Sequence, residues 1–117
     1  MKKVIIAFDC DGTLVTTESA NTKKIVANER QRSMLIALSH SKNVRIVVWS
    51  GGGELWARQV GSALGLDSYV WKYTTKNHLG KDADGKHIFA PEIVPDIAFD
   101  DIQNCELGEL NIIVREK

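Results

Sequence analysis

Two carboxylates separated by a single residue, Asp9 and Asp11, follow the apolar run Val4-Ile5-Ile6-Ala7-Phe8 and lead into Gly12-Thr13-Leu14. A short apolar run closed by Asp-Gly reads as a buried strand ending in a turn. In open α/β sheets, ligands lie at the carboxyl ends of the strands. Side chains there reach a substrate while the strand behind them stays rigid. Two acids at such an edge point to metal-assisted chemistry, because hard divalent cations take oxygen ligands. Two further segments share the pattern: Val44-Arg45-Ile46-Val47-Val48-Trp49 closes on Ser50-Gly51-Gly52-Gly53, and Ile97-Ala98-Phe99 closes on Asp100-Asp101. A hydroxyl at Ser50 gives a directed hydrogen bond without adding negative charge. The glycines after it permit close approach of a phosphate and open a helix whose N-terminus favours anions. Singly, each segment has an ordinary explanation as strand-end turn chemistry; three in order at strand ends do not.

Together these stretches resemble the haloacid dehalogenase (HAD) superfamily, in its cap-less phosphatase form. Phe8-Asp9-Cys10-Asp11-Gly12-Thr13-Leu14 resembles the first family motif, Val44–Ser50 the second, and Pro95-Asp96-Ile97-Ala98-Phe99-Asp100-Asp101 the fourth. The resemblance implies that Asp9 attacks phosphorus to form an aspartyl-phosphate. Asp11 then acts as general acid and, in the second step, as general base, while Ser50 holds a phosphoryl oxygen. A covalent intermediate splits hydrolysis into two lower barriers. It also implies Mg²⁺, held by Asp9, the Asp11 backbone carbonyl and Asp100, with Asp101 behind them or bound through water. Gathering four carboxylates at ~4–6 Å is strongly repulsive without a cation. Gly12, Thr13, Gly51 and Gly52 would line the phosphate, with the Thr13 hydroxyl locking the loop.

The family's third motif is a lysine, for which Lys72, Lys76, Lys81 and Lys86 are the candidates. Lys76 is favoured because it falls where the third strand, expected over 68–73, runs out at the same sheet edge; Lys72 is second. Lys81 and Lys86 lie in a Gly/Asp/His-rich stretch that reads as an exposed loop. The acid two residues after Asp9 sets the chain apart from dehalogenases, and Cys10-Asp11-Gly12-Thr13 from transport ATPases. Phosphotransferases share these acids, so hydrolysis and transfer are both open.

The elements that position these residues give an α/β, Rossmann-like three-layer fold with a mostly parallel five-stranded sheet, in one domain over 1–117 without a cap. Strands are expected at 1–9, 44–49, 68–73, 97–99 and 110–114. Asn28 with Gln31 three residues on is a capping-box pattern. It opens a helix that faces the sheet with Met34, Leu35 and Leu38. A second helix from Glu54 buries Leu55, Val60 and Leu64 and stops at Gly65. Residues 15–27 form a polar flap containing Thr16-Thr17-Glu18-Ser19. From Asn77 to Pro95 the pattern is lost, and Pro91 and Pro95 argue against a helix there.

The two intervals that carry caps in the family are too short here to hold one. The open site implies a phosphate on a protein side chain or nucleic-acid end, or a small phosphomonoester if a homodimer partner or the flap and 77–95 loop close over it. Lysines plus arginines equal aspartates plus glutamates at 15 each, so no global field favours nucleic acid or an anionic membrane. No apolar run approaches the ~18–20 residues of a membrane span and no secretory leader is evident, so the chain reads as cytoplasmic. Two cysteines make no disulfide framework; Cys10 reads as a buried thiol, and Cys105 has no evident partner. Loop residues His78 and His87 read as solvated, His40 as ending a helix, and Trp49 and Trp56 as core, with Trp56 near the site mouth. A phosphate-sensing or partner-binding domain without turnover is the alternative function. A receiver domain fits poorly, since the third strand ends in no acid.

Overall fold

The structure, a computed structural model, describes residues 2–16, 24–102 and 106–115 of the 117-residue chain. Among the described residues, seven strands and two helices follow in the order β1 (Val4–Asp9), α1 (Glu29–Ser39), β2 (Val44–Ser50), α2 (Glu54–Ala63), β3 (Lys72–Thr75), β4 (His78–Lys81), β5 (His87–Phe89), β6 (Ile97–Asp100) and β7 (Leu110–Ile113). Five of them form one sheet in the order β3-β2-β1-β6-β7, and every pair in it is parallel. The expected five-stranded α/β sheet is therefore present. β1, at its centre, is buried on both faces, as its unbroken apolar run requires.

Among the described residues the expected three layers are not. Leu35 of α1 and Ala57 and Val60 of α2 pack into one cluster with Ile6, Phe8, Ile46, Val48, Tyr73 and Phe99, so both helices cover the same face. The other face, Ala7, Val47, Trp49 and Ala98, is closed by Leu107, Phe89 and Ile93 from connecting segments. The reason lies in 77–95, where two glycines and two prolines exclude a helix. That stretch is not patternless either: β4 and β5 make an antiparallel hairpin turning through Gly85 at φ +79°.

Local signals account for most boundaries. Asn28 caps α1, its side-chain oxygen accepting from the Gln31 N–H, and His40 ends it. α2 runs out at Leu64 and Gly65, the latter at φ +70°. Leu55 is 73% exposed rather than buried, because at 3.6 residues per turn it lies on the side of α2 opposite Ala57, Val60 and Leu64. Ala57, Val60 and Gly61 carry the buried stripe instead. Gly61 is required there, since a Cβ would collide with the Tyr73 ring. The third strand starts later than expected: Leu66–Tyr69 closes as a turn, Tyr69 N–H donating to Leu66 O at 2.8 Å. β3 is then anchored by Tyr73, whose hydroxyl donates to Asp67 at 2.6 Å.

The flap's base is zipped. Thr16 N–H donates to Val26 O at 2.9 Å and Asn28 N–H to Leu14 O at 2.8 Å, with an antiparallel bridge between Val15 and Ala27. Its tip, including Thr17-Glu18-Ser19, and the segment with Cys105 lie outside the described residues. Among the described residues no helix is long and apolar enough to cross a membrane.

Candidate active site

Register brings the acids together. Phe8 pairs with Phe99 across β1 and β6, and their rings stack at 4.6 Å. One residue further along each parallel strand, Asp9 and Asp100 leave the sheet side by side. On the other flank Ser50 pairs with Thr75, so Lys76 emerges one residue beyond β3 at the same edge. Its backbone N–H donates to Ser50 O at 3.1 Å, and the Thr75 hydroxyl donates to that oxygen at 3.2 Å. Lys76 is thereby fixed at its root before its side chain turns inward.

The ammonium of Lys76 lies 3.0 Å from Asp9 Oδ1 and 2.9 Å from Asp100 Oδ2, with all three side chains buried. Of the four candidate lysines, it alone joins the acids. Lys72 reaches Glu92 at 3.9 Å and Lys86 reaches Glu106 at 3.2 Å, while Lys81 is exposed on β4. One ammonium serves two buried carboxylates, which leaves excess negative charge when both are ionised. Burial, then the Asp100 charge, pushes the Asp9 carboxyl well above the usual carboxylate range, outweighing the pull of Lys76. Burial alone would favour a neutral Lys76, but Asp9 and Asp100 outweigh it and hold the ammonium charged to well above its ordinary range.

Asp101, half-buried, completes a group in which carboxylate oxygens of Asp9, Asp100 and Asp101 lie within 4.8 Å of one another. Burial raises its carboxyl too. Asp100 is further oriented by the Ile102 N–H, which donates to Oδ1 at 3.0 Å. The donor set fits a hard divalent cation in kind, since every ligand is a carboxylate oxygen. Gly12 is essential to this packing: it sits at φ +81°, and a Cβ on it would collide with the Asp101 carboxylate. Its N–H is donated to Val15 O at 2.8 Å, within the loop rather than toward a ligand. Thr13 is fully buried, and its hydroxyl has no hydrogen-bond partner among the described residues. The loop is held by backbone bonds, Thr13 N–H and Val15 N–H both reaching Cys10 O at 3.1 Å, and not by that hydroxyl as expected.

Asp9, Asp11, Ser50, Gly51, Gly52, Lys76, Asp101 and Ile102 line a small open cavity of about 230 Å³. Ser50 Oγ accepts from the Gly52 N–H at 2.9 Å, which fixes the hydroxyl oxygen and leaves its proton free to donate. Cys10 is buried on the helix-covered side, and burial followed by Asp9 and Asp11 pushes its thiol well up. It is a packing group. Asp96, at the opposite end of β6, accepts from Ile5 N–H at 2.8 Å and ties β6 to β1.

Two contributors were not legible as such in the sequence. Trp56 donates its indole N–H to Asp11 Oδ1 at 3.2 Å, so the ring read as core or mouth lining instead orients the second acid. Its position in the first turn of a helix that starts at the Ser-Gly turn is the signal that placed it near the mouth. Phe89 of β5 lies beneath Lys76, whose ammonium stands 5.1 Å from the ring centroid. The same ring packs on His78 and His87, whose imidazoles meet at 3.0 Å.

Comparison with protein-family models, with curated proteins and with solved structures gives no match. The functional reading therefore rests on the site's own geometry and on the motif resemblance.

Proposed function

We propose that the chain is a Mg²⁺-dependent phosphatase of HAD type, hydrolysing phosphomonoesters through an aspartyl-phosphate on Asp9. The observation that carries this reading is the bridging of Asp9 and Asp100 by the buried ammonium of Lys76, beside Asp101, at the carboxyl edge of a parallel sheet. A structural ion pair needs one acid and one base. Here there are three acids, and such an excess of buried charge is a mark of catalytic or metal sites.

In this reading Asp9 attacks phosphorus, the P–O bond to the leaving group breaks, and Asp11 supplies the leaving oxygen's proton. Asp11 then takes a proton from water as the water's oxygen attacks phosphorus and frees Asp9. Lys76 neutralises Asp9 and the incoming phosphoryl oxygens, and Ser50 donates to one of those oxygens. Asp9, Asp100, Asp101 and the Asp11 carbonyl would hold Mg²⁺, which supplies charge neutralisation for the phosphoryl group. Trp56 keeps the Asp11 carboxylate aimed. Trp56→Phe is therefore expected to lower kcat for an aryl phosphate about tenfold, the worth of a hydrogen bond to a charged group. Its KM should barely move; an unchanged kcat would remove this role.

The open cavity favours phosphate on a large substrate, a protein side chain or a nucleic-acid end. The test is a hydrolysis screen over nucleotides, sugar phosphates, phosphopeptides and end-phosphorylated oligonucleotides, with and without Mg²⁺. Turnover that needs Mg²⁺ and prefers the last two classes is the expected result; Mg²⁺-independent turnover would contradict the reading. The absence, among the described residues, of a helical layer on one face of the sheet favours a second reading, a phosphate-sensing or partner-binding domain. Binding of beryllium fluoride with no hydrolysis of any substrate would identify it.

A further inference from the structure

The two edges of the sheet are treated differently. At the β3 edge stands Lys72, ion-paired with Glu92 at 3.9 Å. Next to it, the Arg45 guanidinium stands 4.8 Å from the centroid of the Trp71 ring, whose residue is 47% exposed. An edge carrying charges of this kind resists strand addition. β7 lacks that protection: its strand carries no charge or proline, and Leu110 and Ile113 are 53% and 48% exposed. Among the described residues nothing pairs with its outer edge.

We propose that a second copy of this chain adds to this edge, antiparallel, about a two-fold axis at Ile112. The hydrogen bonds set which groups are free. Leu110 N–H donates inward to Asp96 O at 3.0 Å and Val114 N–H to Asp100 O at 2.7 Å. By strand alternation, the N–H and C=O groups of Asn111 and Ile113 point outward. Placing Asn111 of one copy opposite Ile113 of the other uses those groups as mutually hydrogen-bonded antiparallel pairs. That register sets Leu110 opposite Val114 and Glu109 opposite Arg115, twice over by symmetry. Glu109 and Arg115 are both exposed and neither has an ion-pair partner among the described residues. The edge is thus complementary to itself in charge as well as in hydrogen bonding.

Packing points the same way. A cavity of about 750 Å³ runs beside β7 on the helix-covered face, with Met34, Phe99, Ile112 and Val114 in its wall. Cross-strand partners share a face, so the second copy's Leu110 arrives opposite Val114 on this side. An exposed leucine is buried and the groove is narrowed.

The test is sedimentation of the full chain across micromolar to sub-millimolar concentrations. A monomer–dimer equilibrium is expected. Ile113→Pro should give a monomer with unchanged circular dichroism, because that N–H makes no bond within the sheet and proline is tolerated at such edge positions. Glu109→Arg and Arg115→Glu should each weaken dimerisation about tenfold by setting like charges opposite each other at two sites, and the double reversal should restore it. A chain that stays monomeric throughout, or a double reversal that stays as weak as the singles, would overturn the proposal. Neither outcome bears on the active site.

Discussion

Asp9→Asn is expected to abolish turnover of a generic aryl phosphate, by about 10⁴-fold or more, while leaving the protein folded and no less stable. The kinetic half follows from the role: an amide cannot form the acyl-phosphate, and losing the nucleophile of a covalent mechanism costs losses of that order. The stability half follows from electrostatics. Burial and Asp100 push the Asp9 carboxyl well above its usual range even with Lys76 alongside, so the folded protein disfavours that charge. Removing it leaves Lys76 paired with Asp100 at 2.9 Å. Thermal unfolding in chelator should therefore show an equal or higher Tm for the variant. Full activity would refute the nucleophile; a collapse in Tm would mean Asp9 is a structural ion-pair partner.

Lys76→Met should do the opposite to stability. The methionine keeps the volume but leaves Asp9 and Asp100 buried without their cation, and stranding a buried charge in this way costs about 3–5 kcal/mol. Added Mg²⁺ should return part of that loss in the variant by binding the folded state alone. Combining Lys76→Met with Asp9→Asn should cost less than Lys76→Met itself, because one stranded carboxylate is gone. Turnover of Lys76→Met should fall about 10²–10³-fold, the scale for removing a preorganised charge from a transition state. Denaturant unfolding with and without Mg²⁺ checks the first part. A variant as stable as the parent in chelator would show that the ammonium is not what holds the acids together.

Much of this site was legible because parallel strands transmit register. Once Val4–Phe8, Val44–Trp49 and Ile97–Phe99 are read as strands of one sheet, Asp9, Ser50 and Asp100 must leave from the same edge. Lys76 followed from the end of the third strand, although that strand was expected over 68–73 and is Lys72–Thr75. What failed was whatever depends on contacts distant in sequence. Leu55 is the exception: it lies five residues before Val60 and nine before Leu64, and 3.6 residues per turn already puts it opposite the buried stripe of α2. The β4–β5 hairpin has strands of four and three residues, the first interrupted by Gly80, too short to show an alternation, and its placement comes from Phe89 and Ile93 covering the bare face of the sheet. Trp56 is a good core residue by type; only the fold sets its indole N–H against Asp11.

The central claim is that Asp9 carries the phosphoryl group, and chemical trapping tests it most directly. An acyl-phosphate is reduced by borohydride to the alcohol, so quenching the protein during turnover with Mg²⁺ should convert Asp9 to homoserine. Peptide mass spectrometry should find that change at position 9, and Mg²⁺ omission should prevent it. Turnover with no modification at Asp9, or modification at another residue, would contradict the account.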